Sequence, residues 1–136
     1  MKNLLKLEEA AQFAFCLVML ALIHVQWWVY PLLLLGPDIG MVGYLVSPRI
    51  GAFTYNVLHH KGIAFACILF GQLASFSLAM DGLFGDGDEY MMLVGIILFG
   101  HASMDRIFGY GLKYSDAFKH THLGWIGKKD SEQLSS

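Results

Sequence analysis

Apolar positions along this chain fall in unbroken runs rather than on one face of a helix. Residues 13–23, 62–80 and 90–100 carry no charge, and 27–35 is apolar throughout. A helix that crosses a bilayer needs about 20 mostly apolar residues, rising about 1.5 Å each. The pattern predicts four helices, at about residues 7–24, 27–46, 53–80 and 89–109. The expected fold is therefore all-α, a four-helix transmembrane bundle. Gly36-Pro37-Asp38 interrupts the second helix. Proline removes a backbone hydrogen bond, which a membrane accepts where protein, water or a side chain satisfies the freed group. A break there would offer carbonyls beside the Asp38 carboxylate; a plain proline kink is the alternative. Pro48 and Arg49 read as the turn into the third helix.

Composition agrees with the pattern. Of 136 residues, 56 % are hydrophobic and 15 % charged, where soluble domains hold about a quarter charged. Mean hydropathy is +0.53. Disorder and coiled coil are excluded, and a net charge of -2 leaves nothing to grip nucleic acid. Residues 1–127 read as one membrane-embedded domain and 128–136 as a mobile polar tail. Glu8 and Glu9 stand where a signal peptide would be basic, and no small-residue cleavage site follows Ile23, so the first helix is expected to remain as a span. Lys2, Lys6 and Arg49, then Arg106, Lys113, Lys119, Lys128 and Lys129, fall on one side of four spans. The opposite connector holds Asp81, Asp86, Asp88 and Glu89 without a base. The positive-inside rule makes the basic side cytoplasmic, with both termini inside. Trp27, Trp28 and Tyr30 would mark the outer interface. Gly82, Gly85 and Gly87 make the acidic connector turn-rich, without the regular pattern of a calcium loop. Cys16 and Cys67 read as small buried hydrophobes.

Ionisable residues inside spans stand out, because each costs about 2.5–3.5 kcal/mol on insertion scales unless it has a partner or a purpose. Asp38 lies within the second helix. His101 and Asp105, four apart, share a face of the fourth. Tyr55 with His59 and Asn56 with His60 repeat that spacing in the third, and Lys61 follows. All fall toward the cytoplasmic side, as do Glu8, Glu9, His120 and His122; His24 alone sits at the outer end of the first helix. This predicts a polar pocket open to the cytoplasm. Asp38, His59, His101, Asp105 and His122 form a ligand pool suited to zinc or non-haem iron. Catalytic zinc takes three protein ligands and a water whose pKa falls to about 7. No H-E-x-x-H is present, and the adjacent His59 and His60 cannot both face one point. Two alternatives stay open. One is a metal-free network with Asp105 on Arg106 or Lys61 and His101 on Asp38. The other, ranked lower, is haem held non-covalently between two histidines.

The stretch His101-Ala-Ser-Met-Asp105-Arg106-Ile-Phe-Gly109-Tyr110-Gly111-Leu112-Lys113-Tyr114, with Phe118 and Thr121-His122-Leu123-Gly124 after it, resembles a family of small bacterial integral membrane proteins of unknown function. Glu8, Pro37-Asp38 with Met41 and Gly43-Tyr44, and Tyr55-Asn56 with His59 match the same family, up to about Gly127. The resemblance implies four spans and a bacterial source, and brings no activity. It favours His59 over His60 and His122 over His120, and adds Glu8, Asn56, Arg106 and Lys113. A second likeness, at the level of chemistry alone, is to the membrane hydrolases that include alkaline ceramidases and adiponectin receptors. Those hold zinc with a few His and an Asp but have seven spans.

The expected function is an enzyme of the bacterial inner membrane with a cytoplasm-facing, metal-dependent site. Its substrate would be a lipid or other apolar small molecule, and hydrolysis ranks ahead of an iron-dependent oxidation. Asp38, His59, His101 and His122 would ligate zinc or iron. Asp105 would be a further ligand or the base, and Glu8 an alternative acid/base. Asn56, Arg106 and Lys113 would bind substrate, the two cations taking an anionic head group. The rival is a non-catalytic subunit, carrier or small-molecule binder whose polar cluster locks the bundle. Glycines at 36, 40, 43, 95 and 100 would permit close helix contacts, including those of a homodimer.

Overall fold

The computed structural model describes the backbone over residues 1–81 and 87–127, and side chains over 1–75 and 90–127. The acidic connector with its glycines and the tail 128–136 therefore lie, wholly or in their side chains, outside the described residues. The fold is all-α apart from a small hairpin. In order come α1 (Lys2–Leu22), α2 (Val29–Leu35), a 3-10 helix (Gly36–Leu45), α3 (Pro48–His59), α4 (Lys61–Asp81) and α5 (Gly87–Phe108). Two short strands follow, β1 (His120–Thr121) and β2 (Gly124–Trp125), paired antiparallel. Helix α5 is central. It packs along α1 and α4 and also touches α2 and α3. The core joins Cys16 and Leu20 of α1, Val29 and Leu33 of α2, and Ile96 and Ile97 of α5.

Two of the expected helices are each divided, and local chemistry explains both breaks. At the first, Pro37 ends α2 because it brings no N–H, and the chain tightens into 3-10 geometry for ten residues. Such stretches seldom exceed 3–4 residues and mark strain or function. Here the three-residue period sets Pro37, Gly40 and Gly43 on one ridge, and that ridge lies against α3. A Cβ on Gly43 would stand 2.3 Å from Thr54 Oγ1 and 3.0 Å from the Gly51 Cα. Thr54 Oγ1 donates to the Gly40 carbonyl at 2.6 Å. Only glycines admit α3 this closely.

The second break is at His60, whose backbone is extended (φ -85°, ψ 108°). Its Nδ1 accepts from the N–H groups of Gly62 and Ile63 at 3.1 and 3.3 Å, so the imidazole caps the start of α4. The axis bends by 43° there. Pro48 begins α3 as its first residue, with Ser47 Oγ accepting from the Ile50 N–H at 3.2 Å, a serine cap before an N-terminal proline.

Helices α1 and α5 end alike. Past α1, His24 takes φ +53°, its N–H bonds to the Ala21 carbonyl and the Val25 N–H to the Leu20 carbonyl. Past α5, Gly109 takes φ +89°, with matching bonds from Gly109 to Arg106 and from Tyr110 to Asp105. Both are Schellman closures. Beyond Gly109 the chain folds back over the helix ends: Lys113 bridges to Thr121, and the His122 N–H donates to the Leu112 carbonyl.

Among the described residues one helix, Tyr90–Phe108, is long and apolar enough to cross a membrane; the bent pair Pro48–His59 with Lys61–Ser75 passes the same test jointly. Helix α1 falls short because Lys2, Lys6, Glu8 and Glu9 crowd its first half, and α2 because the proline stops it at seven residues.

Candidate metal centre

Asp38, His59, His101 and Asp105 converge, with one donor atom from each lying within 4.8 Å of every other. They arrive from three segments. Asp38 rides on the first turn of the 3-10 helix, His59 is the last residue of α3, and His101 and Asp105 are one turn apart on α5. His59 Nε2 stands 3.3 Å from Asp105 Oδ2 and 3.6 Å from Asp38 Oδ1. His101 Nε2 stands 3.4 Å from Asp38 Oδ1 and 3.8 Å from Asp105 Oδ1. Both histidines are buried, at 3 % and 0 % exposure, while Asp38 keeps 35 % of its side chain open.

The tautomers follow from the other ring nitrogens. His59 Nδ1 lies 2.8 Å from the Tyr55 carbonyl and His101 Nδ1 lies 2.9 Å from the Leu33 carbonyl. A carbonyl only accepts, so each Nδ1 carries the proton, and in the neutral tautomer Nε2 presents a bare lone pair. Those lone pairs face carboxylate oxygens, and His59 Nε2, His101 Nε2 and Asp38 Oδ1 are buried without any hydrogen-bond partner. The Leu33 carbonyl is available for a local reason. Its partner in a continuing α-helix would be the N–H of residue 37, and residue 37 is proline. The break in the second helix thus supplies the acceptor that orients His101.

Tyr55 supports two of the four. Its ring stacks on His59 with centroids 3.7 Å apart, and its hydroxyl donates to Asp105 Oδ2 at 2.6 Å. Zinc–nitrogen and zinc–oxygen bonds of about 2.0–2.1 Å place tetrahedral donors about 3.3–3.4 Å from one another. The four His–Asp separations start at that spacing and run from 3.3 to 3.8 Å, the whole donor set falls within 4.8 Å, and all four exceed the 2.7–2.9 Å or so of a charge-assisted hydrogen bond.

The remaining residues singled out by sequence lie elsewhere. His122 stands apart from the four donors: its Nδ1 accepts from the Leu112 N–H at 2.8 Å. Burial and then the nearby Arg106 hold this imidazole below the usual histidine pKa. Glu8 is exposed on α1 and accepts from Gln12 at 3.4 Å. Its neighbour Glu9 faces inward instead, pairing with Lys61 and lying 3.7 Å from Arg106. Lys61 also donates to Gln12 Oε1. The alternative partners expected for Asp105, Arg106 and Lys61, are thus committed to Glu9. Helical phase could have found Glu9, since Glu9, Gln12, Cys16 and Leu20 line one face of α1 while Glu8 points off it. Asn56 holds main chain: its Nδ2 donates to the Lys113 carbonyl at 2.8 Å and its Oδ1 accepts from the Lys113 N–H at 2.7 Å.

The Lys113 side chain is buried, 4 % exposed. Its Nζ lies over the rings of Phe118, Tyr55 and Tyr110 at 4.2, 5.0 and 5.6 Å. Burial pushes its pKa down while the Asp105 and Asp38 carboxylates pull it up. His120 is used locally, bonded to Asp116 at 2.8 Å and stacked on Trp125. A pocket of about 570 Å³ between α1, the end of α5 and the hairpin is lined by Lys6, Glu9, Arg106 and His122 among others. An apolar groove of about 520 Å³, with Glu8 at its edge, separates α1 from α4.

No curated protein and no solved structure matches this chain. Residues 2–126 match the family described as Domain of unknown function (DUF4260), and the chain belongs to that family.

Proposed function

We propose that this chain is a metal-dependent enzyme of the bacterial inner membrane that acts on a lipid or lipid-like substrate, by hydrolysis ahead of oxidation. The observation that carries the proposal is the set of three bare, buried donors, His59 Nε2, His101 Nε2 and Asp38 Oδ1, facing a common point with Asp105. Lone pairs placed this way repel unless a proton or a metal ion lies between them, and two imidazoles with two carboxylates suit zinc or ferrous iron. A haem reading is disfavoured, since the His59 and His101 rings meet edge to face with centroids 4.8 Å apart, leaving no room for a porphyrin plane.

The metal would supply Lewis acidity and an acidified water. The protein's part is positional. Leu33 and Tyr55 carbonyls lock both imidazoles with Nε2 inward, and the Tyr55 hydroxyl fixes Asp105. Asp38, the most exposed of the four, borders the open side where substrate would approach and is placed to exchange between ligand and base. His122, bonded through Nδ1 to Leu112, is no part of this centre, and neither is Glu8.

Membrane location is supported by large side chains left in the open. Phe15, Leu35, Phe53, Phe65, Phe70 and Leu73 are all more than half exposed, far more than a water-facing surface of this size carries. Taken as spans, α1, the divided second helix, the bent α3–α4 pair and α5 would put both termini in the cytoplasm.

Protein purified in mild detergent is expected to hold about one zinc or iron per chain. His101→Ala should abolish binding in a chain that still inserts. A wild-type protein that remains folded without metal, and is unchanged on adding it, would favour a purely structural cluster.

A further inference from the structure

Five side-chain atoms among the described residues are buried without a hydrogen-bond partner: Asp38 Oδ1, His59 Nε2, His101 Nε2, Tyr44 Oη and Lys113 Nζ. Buried polar groups are nearly always paired, so five in one small protein require a cause. They come from the 3-10 helix, α3, α5 and the returning segment, yet they gather in one neighbourhood. Lys113 Nζ lies over the Tyr55 ring, which stacks on His59. Asp105 and Asp38 both act on its charge. The Tyr44 ring meets Phe118 edge-on at 5.2 Å, and Phe118 is the ring closest under Lys113 Nζ.

Three of the five are lone-pair donors, which the metal reading satisfies. The other two can donate protons, and a metal does nothing for them. They need an acceptor that the described residues do not supply. Charge says which kind. A divalent cation with two carboxylates is neutral, and the buried Lys113 ammonium leaves one positive charge in excess at the site.

Building on the metal-dependent reading above, we propose that Lys113 and Tyr44 form an oxyanion subsite beside the metal, which takes a singly charged carboxylate or phosphodiester group of the substrate. The cage of Tyr55, Tyr110 and Phe118 fixes the ammonium by cation–π contact without consuming its hydrogen-bond donors. The Tyr44 hydroxyl adds a neutral donor. The pair reads one oxygen-bearing anion and offers nothing to a cationic group, so substrates with uncompensated positive charge are excluded.

The test uses the full chain in mild detergent, loaded with cobalt(II) so that the visible spectrum reports ligands near the metal. Acetate and dimethyl phosphate serve as free anions, and a short-chain phosphatidylglycerol as a lipid-borne phosphodiester. Each is titrated against wild type, Lys113→Met and Tyr44→Phe. Wild type is expected to bind with a saturable spectral change. Lys113→Met should weaken binding by about tenfold or more, and Tyr44→Phe by about three- to tenfold, with cobalt content unchanged. Tyr44→Phe removes a single unpaired hydroxyl, so it carries the test should Lys113→Met fail to accumulate. Tighter binding of the phosphatidylglycerol than of dimethyl phosphate supports a lipid head group as the source; equal affinity supports a small soluble anion, and the subsite stands in both cases. Anion affinities within twofold of wild type in the variants, with cobalt bound, overturn the subsite alone. A chain that takes up no cobalt overturns the subsite and the metal reading together.

Discussion

At the scale of single residues, adjacent histidines and adjacent acids are put to different uses by a difference of one position in the helix. His59 closes α3 with its ring turned inward, while His60 leaves the helix and caps the next. Glu9 pairs with Lys61, while Glu8 faces outward. His24, the one ionisable group that sequence set apart, is spent on backbone geometry. It holds the left-handed position of a Schellman closure, at φ +53°, a conformation in which histidine is tolerated and β-branched residues are strongly strained. His24→Val should therefore lower stability by about 1–2 kcal/mol, and His24→Gly should leave it equal or higher; thermal unfolding in detergent compares them.

At the scale of elements, the second helix carries the most consequence. A proline kink and a functional break look the same in sequence. What separates them is where the freed carbonyl points, and that depends on α5, more than sixty residues later. Leu33 meets His101 at 2.9 Å. Pro37→Ala would restore an N–H able to claim the Leu33 carbonyl, so His101 would lose its orienting acceptor. Metal affinity is expected to fall about 10- to 100-fold with the four donors intact, read by competition against a chromogenic chelator. The apolar runs and the His101–Asp105 spacing were legible because they are local. The ten residues of 3-10 helix were not, since Gly40 and Gly43 at three-residue spacing suit either helix type until α3 lies against them. Likewise, an H-x-H pair at 120 and 122 carried no sign that the second ring would meet Leu112, a partner brought near by the Lys113–Thr121 bridge.

At the scale of the whole molecule, the returning segment is a cover tied down at few points. Asn56 of α3 grips it at Lys113, while His122 and Leu112 fasten the segment to itself. His122 must be neutral for Nδ1 to accept, and burial with Arg106 lowers its pKa, while Glu9 opposes them. A histidine held below its unfolded value contributes stability that is complete above about pH 6.5 and is lost as pH falls through the lowered folded value. Acidification from neutral should thus loosen the fold of the returning segment on itself, with the Leu112 amide exchanging hydrogen faster. In His122→Gln that acid dependence should disappear. The Glu9–Lys61–Arg106 cluster ties α1 to α4 and α5 on the same side, so the helices themselves are expected to hold together while the segment loosens.

The reciprocal amide clasp between Asn56 and residue 113 touches only main-chain atoms. It would close as well around any amino acid but proline at that position. The scaffold therefore treats residue 113 as an interchangeable fitting: its location is set by Asn56, its chemistry by whatever side chain stands there. A bench chemist could swap in a methionine, a glutamine or an unnatural amine and expect the frame to keep its shape, which makes this position the natural handle for retuning what the pocket accepts.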